Sequence, residues 1–465
     1  MKRLNKLIKC KYNIPIYGIK TNSKEVCKGD LFVAIHGFNV DHHLYIKDAI
    51  DKGAVAIISE KEIDTNVPVV IVKNTNEVLP KLLKKFYDNL EDKFTFIGVT
   101  GTDGKTTTSS IIYEILSKHY KCANIGTNGV DYLDLHIDTN NTTPTIEKLY
   151  EYLYLLNKKG CKYITMEVSS EALLHKRLDN IKYNVGILTN ITEDHLNIHK
   201  TMSNYINSKS KLFKKTNYCV LNIDDKYFDR IKNKSSGKVI TYGMNKNADY
   251  VISNVVIKNN KTKFTINNKY KIKTNLLGLY NVYNITSAFI TSLLSNIKPK
   301  DIIKEIKNIK SIPGRAEKLD FGQNYTIVLD YAHTENGIKN ILSTLSVDKN
   351  SRIISVTGSA GGREKEKRGK MGKITSDLSD LVIFTMDDPR FEDPNDIISE
   401  MTKDIKKNNY LKIIDRKEAI YKALTLAKDK DIVVILGKGR DNYMAIKDHK
   451  IKYSDYDVIK SFFNN

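Results

Sequence analysis

The chain has 465 residues, 41% hydrophobic and 28% charged, which is enough for about three domains that each bury a core. No apolar run approaches the roughly 18 residues of a membrane helix, and the basic start MKRLNKLIKCKYNIP has no long apolar region, so we expect a cytoplasmic protein without membrane insertion. The formal charge of +21 comes from lysines spread along the whole chain, without an arginine-rich arm or an aromatic RNA-binding motif, so we expect no nucleic-acid partner.

The first 92 residues predict a small α/β unit, because the strand-like stretches DLFVAIHG and AVAIISE flank YIKDAIDKG, which has helical spacing. The strand-like KFTFIGVT then enters a glycine loop, and TTSSIIYEILSKHY follows with its apolar residues on one helical face. Beyond it, YITMEV, VGILTNI and YCVLNI alternate with helical or loop segments. This order predicts a parallel sheet with crossover helices.

A different pattern follows in VISNVVIKNNKTKFTINNKYKIKTN, which predicts short alternating strands with an Asn-Asn turn. From Ile312 onward the strand-like stretches YTIVLDYAH, RIISVTG, LVIFTMD and DIVVILGKG are separated by helical segments. The sequence therefore predicts an α/β fold of three domains. Their expected bounds are residues 1–92, 93–311 and 312–465, with a P-loop-type central domain on a mostly parallel sheet and a Rossmann-like C-terminal domain.

Five cysteines are scattered along the chain without a CxxC pair. This spacing indicates neither a disulfide framework nor a zinc site. We therefore expect reduced thiols in ordinary positions. They are Cys10, Cys27, Cys122, Cys161 and Cys219.

The glycine loop GVTGTDGKTTT departs from the usual GxxxxGK[ST] pattern, because Val99 stands where the first glycine belongs. Gly101 and Gly104 still permit close backbone approach, so successive N–H groups can face phosphate oxygens at a helix N-terminus. Lys105 would add a charge at the terminal phosphates, and the hydroxyl of Thr106 could ligate Mg²⁺. The segment therefore predicts an ATP site.

The form TGTDGKTT is similar to the ATP loop of the Mur ligase family, and more of the family's motifs follow in its order. They are EVSSEALLHKR, TNITEDHLNIH, YINSKSKLF, GLYNVYN, IPGRAE, DYAHT, GSAGGREKEKRGKMG and DDPR. The N-terminal TNSKEVCKGDLFVAIHG is similar to that of the members that add the third amino acid of the cell-wall peptide. The resemblance covers essentially the entire chain. It implies an ATP-dependent ligase that joins a diamino acid to UDP-MurNAc-L-Ala-D-Glu through an acyl phosphate in peptidoglycan precursor synthesis.

The resemblance also implies the residues of the ATP and metal sites. The ATP site would comprise Gly101, Thr102, Gly104, Lys105, Thr106, Thr107, Asn281 and Arg315. The Mg²⁺ ligands would be Thr106, Glu167, His195 and Lys209 as a carbamate. Of these, Lys105, His195 and Lys209 would be catalytic. The physical reason is that phosphoryl transfer brings two anions together, so cations must neutralise the charge in place.

Lys209 lies in NYINSKSKLF, which can form a helix with Tyr205, Lys209 and Phe213 on one face at i, i+4 and i+8. From the residues alone, a solvated lysine is the default interpretation, as for the neighbouring Lys211. In the resembling enzymes the matching lysine is carbamylated by CO₂, which converts a cation into an anionic oxygen ligand for a metal ion. We expect this modification at Lys209.

The nucleotide-sugar peptide would be held by family positions in the first two domains: Ser23, Thr142, Thr143, Ser169 and Arg177. Asn22, Lys24 and His42-His43 depart from the residues that are usual there, which leaves the uridine contacts less defined. Glu171 stands where the family more often has histidine, at a flank of the substrate site. We expect the active site where the three domains meet, with closure of the C-terminal domain during catalysis. We also expect a monomer.

The incoming amino acid would contact residues of the third domain: Arg363, Asp387, Asp388, Pro389, Arg390, Gly437 and Asp441. Two guanidinium groups, of Arg363 and Arg390, favour meso-diaminopimelate, because its side chain ends in a carboxylate that a planar fork binds well. Against this, Asp388 replaces the family's asparagine, and Arg440-Asp441 stands where diaminopimelate enzymes usually have His-Glu.

Several alternatives stay open at this point. L-Lysine, ornithine or a related diamino acid could be the substrate. A folylpolyglutamate synthetase-like ligase shares the loop and the carbamate lysine, although DDPR and LFVAIHG argue against it. A non-catalytic Mur-like protein and a P-loop ATPase that binds nucleic acid are further alternatives.

Overall fold

The computed structural model describes residues 1–37, 40–139, 141–258, 261–346 and 351–464. Within these ranges the strands form three main sheets of eleven, six and four strands, with helices packed against them. The expected α/β fold is confirmed, because the central sheet is large and mostly parallel and the C-terminal sheet is separate.

The N-terminal sheet is parallel, and its strands are Ile19–Lys20, Leu31–Val33, Ala56–Ser59 and Val69–Ile71. A short antiparallel pair, Lys2–Arg3 with Pro15–Ile16, precedes it. The helices are Leu4–Leu7, Ile46–Asp51 and Thr75–Phe86, with 3₁₀ turns at Ser23–Glu25, His42–Tyr45 and Leu90–Lys93. Both faces of the sheet are apolar, since Leu31, Phe32 and Val33 are fully buried in succession.

The central sheet has a parallel middle extended at both ends by antiparallel strands. In spatial order its strands are Leu135–Ile137, Gly129–Tyr132, Cys122–Gly126, Tyr163–Glu167, Thr95–Thr100, Tyr183–Leu188, Thr216–Asn222, Lys238–Gly243, Tyr250–Lys258, Lys261–Ile266 and Tyr270–Thr274. The strands from 122–126 to 250–258 run parallel to their neighbours. Their buried Val, Ile and Leu residues suit a sheet covered on both faces.

The antiparallel end of this sheet includes a turn at Asn267-Asn268, where both residues have φ of 52°. Asparagine tolerates this left-handed conformation better than most residues, which is why the pair fits a tight hairpin turn. The expected alternating strands are present, and Asn259-Asn260 lie outside the described residues.

The helices around the central sheet are Lys105–Leu116, Ile146–Lys158, Ser170–Leu174, Leu196–His199, Met202–Ser210, Phe228–Lys232, Leu279–Leu294 and Pro299–Asn308. Helix Leu279–Leu294 packs against Lys105–Leu116 and is buried along most of its length. Its buried hydroxyls donate to carbonyls three or four residues earlier, as Thr286 does to Val282 at 2.7 Å. These bonds let a polar sequence line the apolar core.

The C-terminal sheet has the strand order Glu317–Leu319, Thr326–Asp330, Ile432–Leu436, Ile353–Thr357, Leu381–Phe384 and Tyr410–Lys412. Only its first pair is antiparallel among the described strands. The helices are Glu335–Leu345, Glu366–Leu378, Pro394–Thr402, Arg416–Leu426 and Asp455–Asn464. A separate hairpin pairs Tyr443–Ile446 with His449–Lys452.

Polar side-chain contacts connect the segments around the central sheet to those around the other two sheets. Toward the N-terminal sheet, the side chain of Lys176 pairs with Glu77 at 2.9 Å and Thr21 donates to Glu147 at 2.7 Å. Toward the C-terminal sheet, the contacts include Lys367 to Asp194, Asn128 to Pro313, Asn442 to Asp138 and Asn336 to Asp103. The junction between the central and C-terminal sheets therefore carries several side-chain bonds.

None of the described helices is both long and apolar enough to cross a membrane. All five cysteines are unpaired; Cys122, Cys161 and Cys219 are buried and Cys27 is exposed.

A buried ion pair anchors the C-terminal helix of the chain. Arg416 donates to both carboxylate oxygens of Asp455 at 2.8 and 2.7 Å, and both side chains are fully buried. Removing the carboxylate leaves a buried guanidinium without its counter-charge, so we expect Asp455→Ala to destabilise the C-terminal domain by about 3–5 kcal/mol. Differential scanning calorimetry measures the change. The exposed Asp457 on the same helix is the matched control, and an equal loss in Asp457→Ala would contradict the argument.

Candidate active site

The glycine loop joins strand Thr95–Thr100 to helix Lys105–Leu116, as expected, although the helix ends before Ser117 and not at Tyr120. Gly104 has φ of +82°, and a Cβ built there would lie 2.6 Å from Asn284 Oδ1. Asn190 holds the loop in place, because its carbonyl accepts from Thr102 N at 2.9 Å and its side chain accepts from Asp103 N at 3.1 Å. Since Gly104, Lys105 and Thr106 line a cavity, the helix N-terminus is open toward a ligand.

Two lysine amines meet at one backbone carbonyl. Lys105 Nζ donates to Gly101 O at 3.0 Å, and Lys209 Nζ donates to the same oxygen at 2.7 Å. Lys209 is 1% exposed and lies over the ring of Tyr205, 4.5 Å from its centroid. Burial, with the nearby Lys105 charge, lowers the pKa of Lys209 well below its usual value. An uncharged amine is the nucleophilic form, so the lysine is suited to covalent modification.

The helix that carries Lys209 is shorter than the sequence predicts. It spans Met202–Ser210, and Phe213 lies in the following 3₁₀ turn Leu212–Lys215. Tyr205 and Lys209 therefore share a helical face, whereas Phe213 does not continue it. The 3₁₀ turn buries Phe213 fully against the central core.

Glu167 is a fully buried carboxylate at the end of strand Tyr163–Glu167. It accepts from Thr127 N at 2.7 Å and from Thr106 Oγ1 at 2.9 Å. Thr106 Oγ1 in turn accepts from Arg315 Nη2 at 2.8 Å. The hydrogen bonds to Glu167 thus come from neutral donors, and the nearby Lys105 adds an attractive charge interaction. Such a carboxylate beside a hydroxyl fits the oxygen ligands of a divalent cation.

His195 faces the same space from a left-handed backbone position, with φ of 56°. Burial, opposed by Asp194, lowers the pKa of His195 to about 3. Its Nε2 lies 3.3 Å from Asp194 Oδ2. The imidazole is therefore neutral near pH 7 and retains a lone pair for a metal ion.

A cavity of about 940 Å³ collects most of the residues expected at the site. The expected residues that line it are Thr102, Gly104, Lys105, Thr106, Thr107, Thr142, Thr143, Glu167, Ser169, Arg177, His195, Lys209, Asn281, Arg315, Arg363 and Asp441. Gly101 contributes its carbonyl to the two lysines behind the lining. The cavity is thus lined by segments around both the central sheet and the C-terminal sheet.

Other expected residues lie outside this lining: Ser23, Asp387, Asp388, Pro389, Arg390 and Gly437. Ser23 is buried in the N-terminal part, where it hydrogen-bonds Asp48. Among the described residues, those that line the cavity begin at Thr102. The expectation of a site shared by all three domains therefore stays a prediction.

Three carboxylates that we expect to bind the incoming amino acid, those of Asp387, Asp388 and Asp441, surround a lysine that was not expected at the site. Lys438 is 1% exposed, and its Nζ lies 2.8 Å from Asp388 Oδ1. Asp387 and Asp441 are each 3.8 Å away. Although burial acts in the opposite direction, these carboxylates raise the pKa of the lysine. Its only sequence signal is its place in GKGRD, between glycines.

Asp441 and Arg390 have distinct surroundings. Burial, together with the carboxylates of Asp387 and Asp388, raises the pKa of Asp441 to about 7 against the pull of Lys438. Arg390 has φ of 53°, and its backbone exchanges hydrogen bonds with the hairpin, donating to Ala445 O and accepting from Lys447 N. The hairpin therefore fixes the backbone of the DDPR segment.

Further cavity residues were not expected from the sequence. The Arg315 guanidinium carbon lies 4.7 Å from the centroid of the Tyr331 ring. Asn336 donates a hydrogen bond to Asp103 at 3.4 Å. Tyr331 belongs to the motif DYAHT, whose sequence alone did not indicate a role for the tyrosine. Asn336 follows it by only a few residues, and its polar side chain at a helix start gave no separate signal.

Family models match most of the chain. The Mur ligase family catalytic domain matches residues 15–87, the Mur ligase middle domain residues 99–292, and the Mur ligase glutamate ligase domain residues 314–439. The chain therefore belongs to the Mur ligase family.

This Mur ligase is 37% identical over 479 residues to a Bacillus cereus protein named UDP-N-acetylmuramoyl-L-alanyl-D-glutamate--2,6-diaminopimelate ligase, covering 98% of each chain. It is also 37% identical to the Clostridium tetani protein of the same name, covering 99% of each. A solved structure of a ligase with that name matches with a TM-score of 0.69 and 28% identity, over 100% of this chain and 99% of the other. The Thermotoga maritima MurF ligase in complex with ADP shares the fold, with a TM-score of 0.68, 21% identity and coverage of 90% and 93%.

The backbone of the glycine loop generates a prediction about nucleotide binding. Gly104→Ala should weaken ATP binding by about tenfold or more, because alanine is strained at positive φ and its Cβ would meet Asn284. Isothermal titration with ATP and Mg²⁺ measures the affinity. Gly160→Ala is the matched control, since Gly160 has φ of +80° but only the end of Lys121 nearby. Similar affinity losses in both variants would refute the role of the loop.

Proposed function

We propose that this chain is an ATP-dependent, ADP-forming ligase that adds meso-diaminopimelate to UDP-MurNAc-L-Ala-D-Glu in peptidoglycan precursor synthesis. The supporting relatives carry this activity in their names and align along nearly the whole chain. The single observation that supports it most is one cavity in which Lys105, Glu167 and Lys209 face Arg315 from the C-terminal part. We propose that the enzyme works as a monomer in the cytoplasm.

A carboxylate is a poor electrophile, so amide formation needs activation. Transfer of the γ-phosphoryl group of ATP to a substrate carboxylate oxygen gives an acyl phosphate and ADP. The amine of the diamino acid then attacks the acyl carbon, and phosphate leaves as the amide bond forms. Each step gathers negative charge, which positioned cations must stabilise.

The phosphates would lie on the glycine loop. The N–H groups at the start of helix Lys105–Leu116 face the ligand, and Lys105 adds a charge beside them. Arg315 reaches the same point from the C-terminal part, as its hydrogen bond to Thr106 supports. Asn281 would contact the nucleotide near its base.

Mg²⁺ would be held by Thr106, Glu167 and His195, and it supplies charge neutralisation at the phosphates when bound. The fit is supported by a fully buried carboxylate that accepts from Thr127 N and Thr106 Oγ1 and by a neutral imidazole in the same cavity. Thr106 and Glu167 are already aligned by their mutual hydrogen bond.

Lys209 would carry a carbamate. Its uncharged amine attacks CO₂ to form an N–C bond and releases one proton, which leaves an anionic carboxylate on the side chain. The supporting observations are its 1% exposure and lowered pKa. Conversion to an anion would also replace the repulsion between the two amines that now share the Gly101 carbonyl by an attraction between the carbamate and Lys105.

The sugar-peptide would lie along Thr142, Thr143, Ser169 and Arg177, which line the cavity, with Ser23 contributing from the N-terminal part. The diamino acid would lie beside Arg363 and Asp441. Closure of the C-terminal part during the reaction would bring Arg390 and the Asp387 to Pro389 stretch toward the acyl phosphate and exclude water.

The carbamate generates a sharp prediction. Lys209→Ala should lower kcat by at least about 100-fold, because an anionic ligand is lost, and short carboxylates such as acetate should restore part of the rate. The coupled release of ADP measures both. Lys211→Ala is the matched control: Lys211 is the next lysine, and its amine donates to Leu173 O. Full activity in Lys209→Ala would rule out the carbamate.

The choice of amino acid generates a second prediction, which also tests the proposed function. ADP release with UDP-MurNAc-L-Ala-D-Glu should be highest with meso-diaminopimelate in a panel that includes L-lysine and ornithine. Arg390→Ala should lower kcat/KM for meso-diaminopimelate by about 10- to 100-fold, because the carboxylate of its side chain loses a charged partner, while the low rate with L-lysine changes little.

A higher kcat/KM for L-lysine than for meso-diaminopimelate would assign the lysine activity instead. ADP release that depends on a folate and glutamate would favour the folylpolyglutamate alternative.

A further inference from the structure

The segment that carries Arg315 is a tight turn with an unusual backbone. Gly314 and Ala316, on either side of Arg315, have φ of 66° and 46°. Alanine is uncommon in this left-handed region, so the surrounding contacts must hold the turn in place. One such contact is the hydrogen bond from Ala316 N to Asp330 Oδ2 at 2.6 Å.

The other side of the turn is held by Arg440. Its Nε donates to Glu317 Oε2 at 2.8 Å and its Nη2 donates to Glu317 Oε1 at 2.6 Å. Glu317 Oε2 also accepts from Gly314 N at 2.7 Å. One carboxylate therefore connects the guanidinium of Arg440 to the backbone directly before Arg315.

Arg440 is itself fixed. Its guanidinium lies over the ring of Tyr456, 3.7 Å from the centroid, and the two-point pairing with Glu317 sets its plane. Its backbone is also close to the turn, since a Cβ at Gly314 would lie 2.9 Å from Arg440 N. A lysine could supply the charge but neither the paired bonds nor the stacked plane.

We infer that Arg440 is a positioning residue that acts through Glu317 and the turn at Gly314 to hold Arg315 at the ATP phosphates. The inference rests on the proposed function. Arg440 itself does not line the 940 Å³ cavity among the described residues, whereas Arg315 does. The hydrogen-bonded path from Arg440 to Arg315 runs through Glu317 and the turn.

A double-mutant cycle tests the inference. Arg440→Gln should lower kcat/KM for ATP by about 10- to 100-fold, because a displaced Arg315 loses its alignment. Arg315→Ala should cost about 100- to 1000-fold, as expected when one charge-stabilising donor is removed. Arg440→Gln should cause almost no further loss when Arg315 is already alanine, since residues that act through one another are not additive.

Two additional variants separate positioning from general stability. Arg440→Lys should recover only a small part of the rate. Arg352→Gln is the matched control, because Arg352 pairs with Asp431 in the same domain and the side chains of that pair are 39% and 9% exposed, against 32% and 8% for Arg440 and Glu317. We expect a similar fall in melting temperature for Arg352→Gln and Arg440→Gln, but an unchanged kcat/KM for Arg352→Gln alone.

Losses that add in the double variant would overturn the inference, as would full recovery in Arg440→Lys or an equal kinetic loss in Arg352→Gln. If Arg440→Gln does not fold, the cycle is run with Arg440→Lys, and additivity overturns the inference there too. These results require an active wild type. A wild type that releases no ADP with any amino acid overturns the proposed function and the inference with it.

Discussion

One hydroxyl joins the two halves of the cavity. Thr106 Oγ1 donates to Glu167 and accepts from Arg315, so a single atom of the glycine loop links the central sheet to the C-terminal part. The constraint behind this link is that a fully buried carboxylate needs hydrogen-bond partners. Ligands that bring phosphate oxygens and a cation must take over these same partners. The hydrogen-bonding groups of the site are therefore already arranged for a ligand before the ligand binds.

The fold explains why these groups meet. Strands Thr95–Thr100, Tyr163–Glu167 and Tyr183–Leu188 are neighbours in a parallel sheet, so their carboxyl ends share one edge. The glycine loop, Glu167 and the segment leading to His195 all follow these ends. Ligands of open α/β sheets bind at this edge as a rule. Two lysine amines can share one carbonyl there because burial lowers the pKa of both amines, which disfavours their charged forms.

The sequence allowed the parallel architecture and the glycine loop to be predicted, because apolar runs and glycine spacing are local signals. The family motifs also indicated the residues from Thr102 to Lys209 that line the cavity. The parallel strands bring these residues together at one edge of the sheet. The pairing of Lys438 with Asp388 was not predictable, since it depends on the distance between two loops that are far apart in the chain. The position of Phe213 was missed for another reason, because core packing shortened a helix that periodicity alone would continue.

The distribution of the cysteines has a practical consequence. Burial raises the pKa of the thiols of Cys122, Cys161 and Cys219, which makes them poor nucleophiles in the folded chain. Cys27 is exposed and lies on the N-terminal part, away from the cavity. Maleimide chemistry would thus mark that part with a fluorophore without redesign of the chain. A second label engineered near the C-terminal helix would then report interdomain distances in single molecules as nucleotide and sugar-peptide are added.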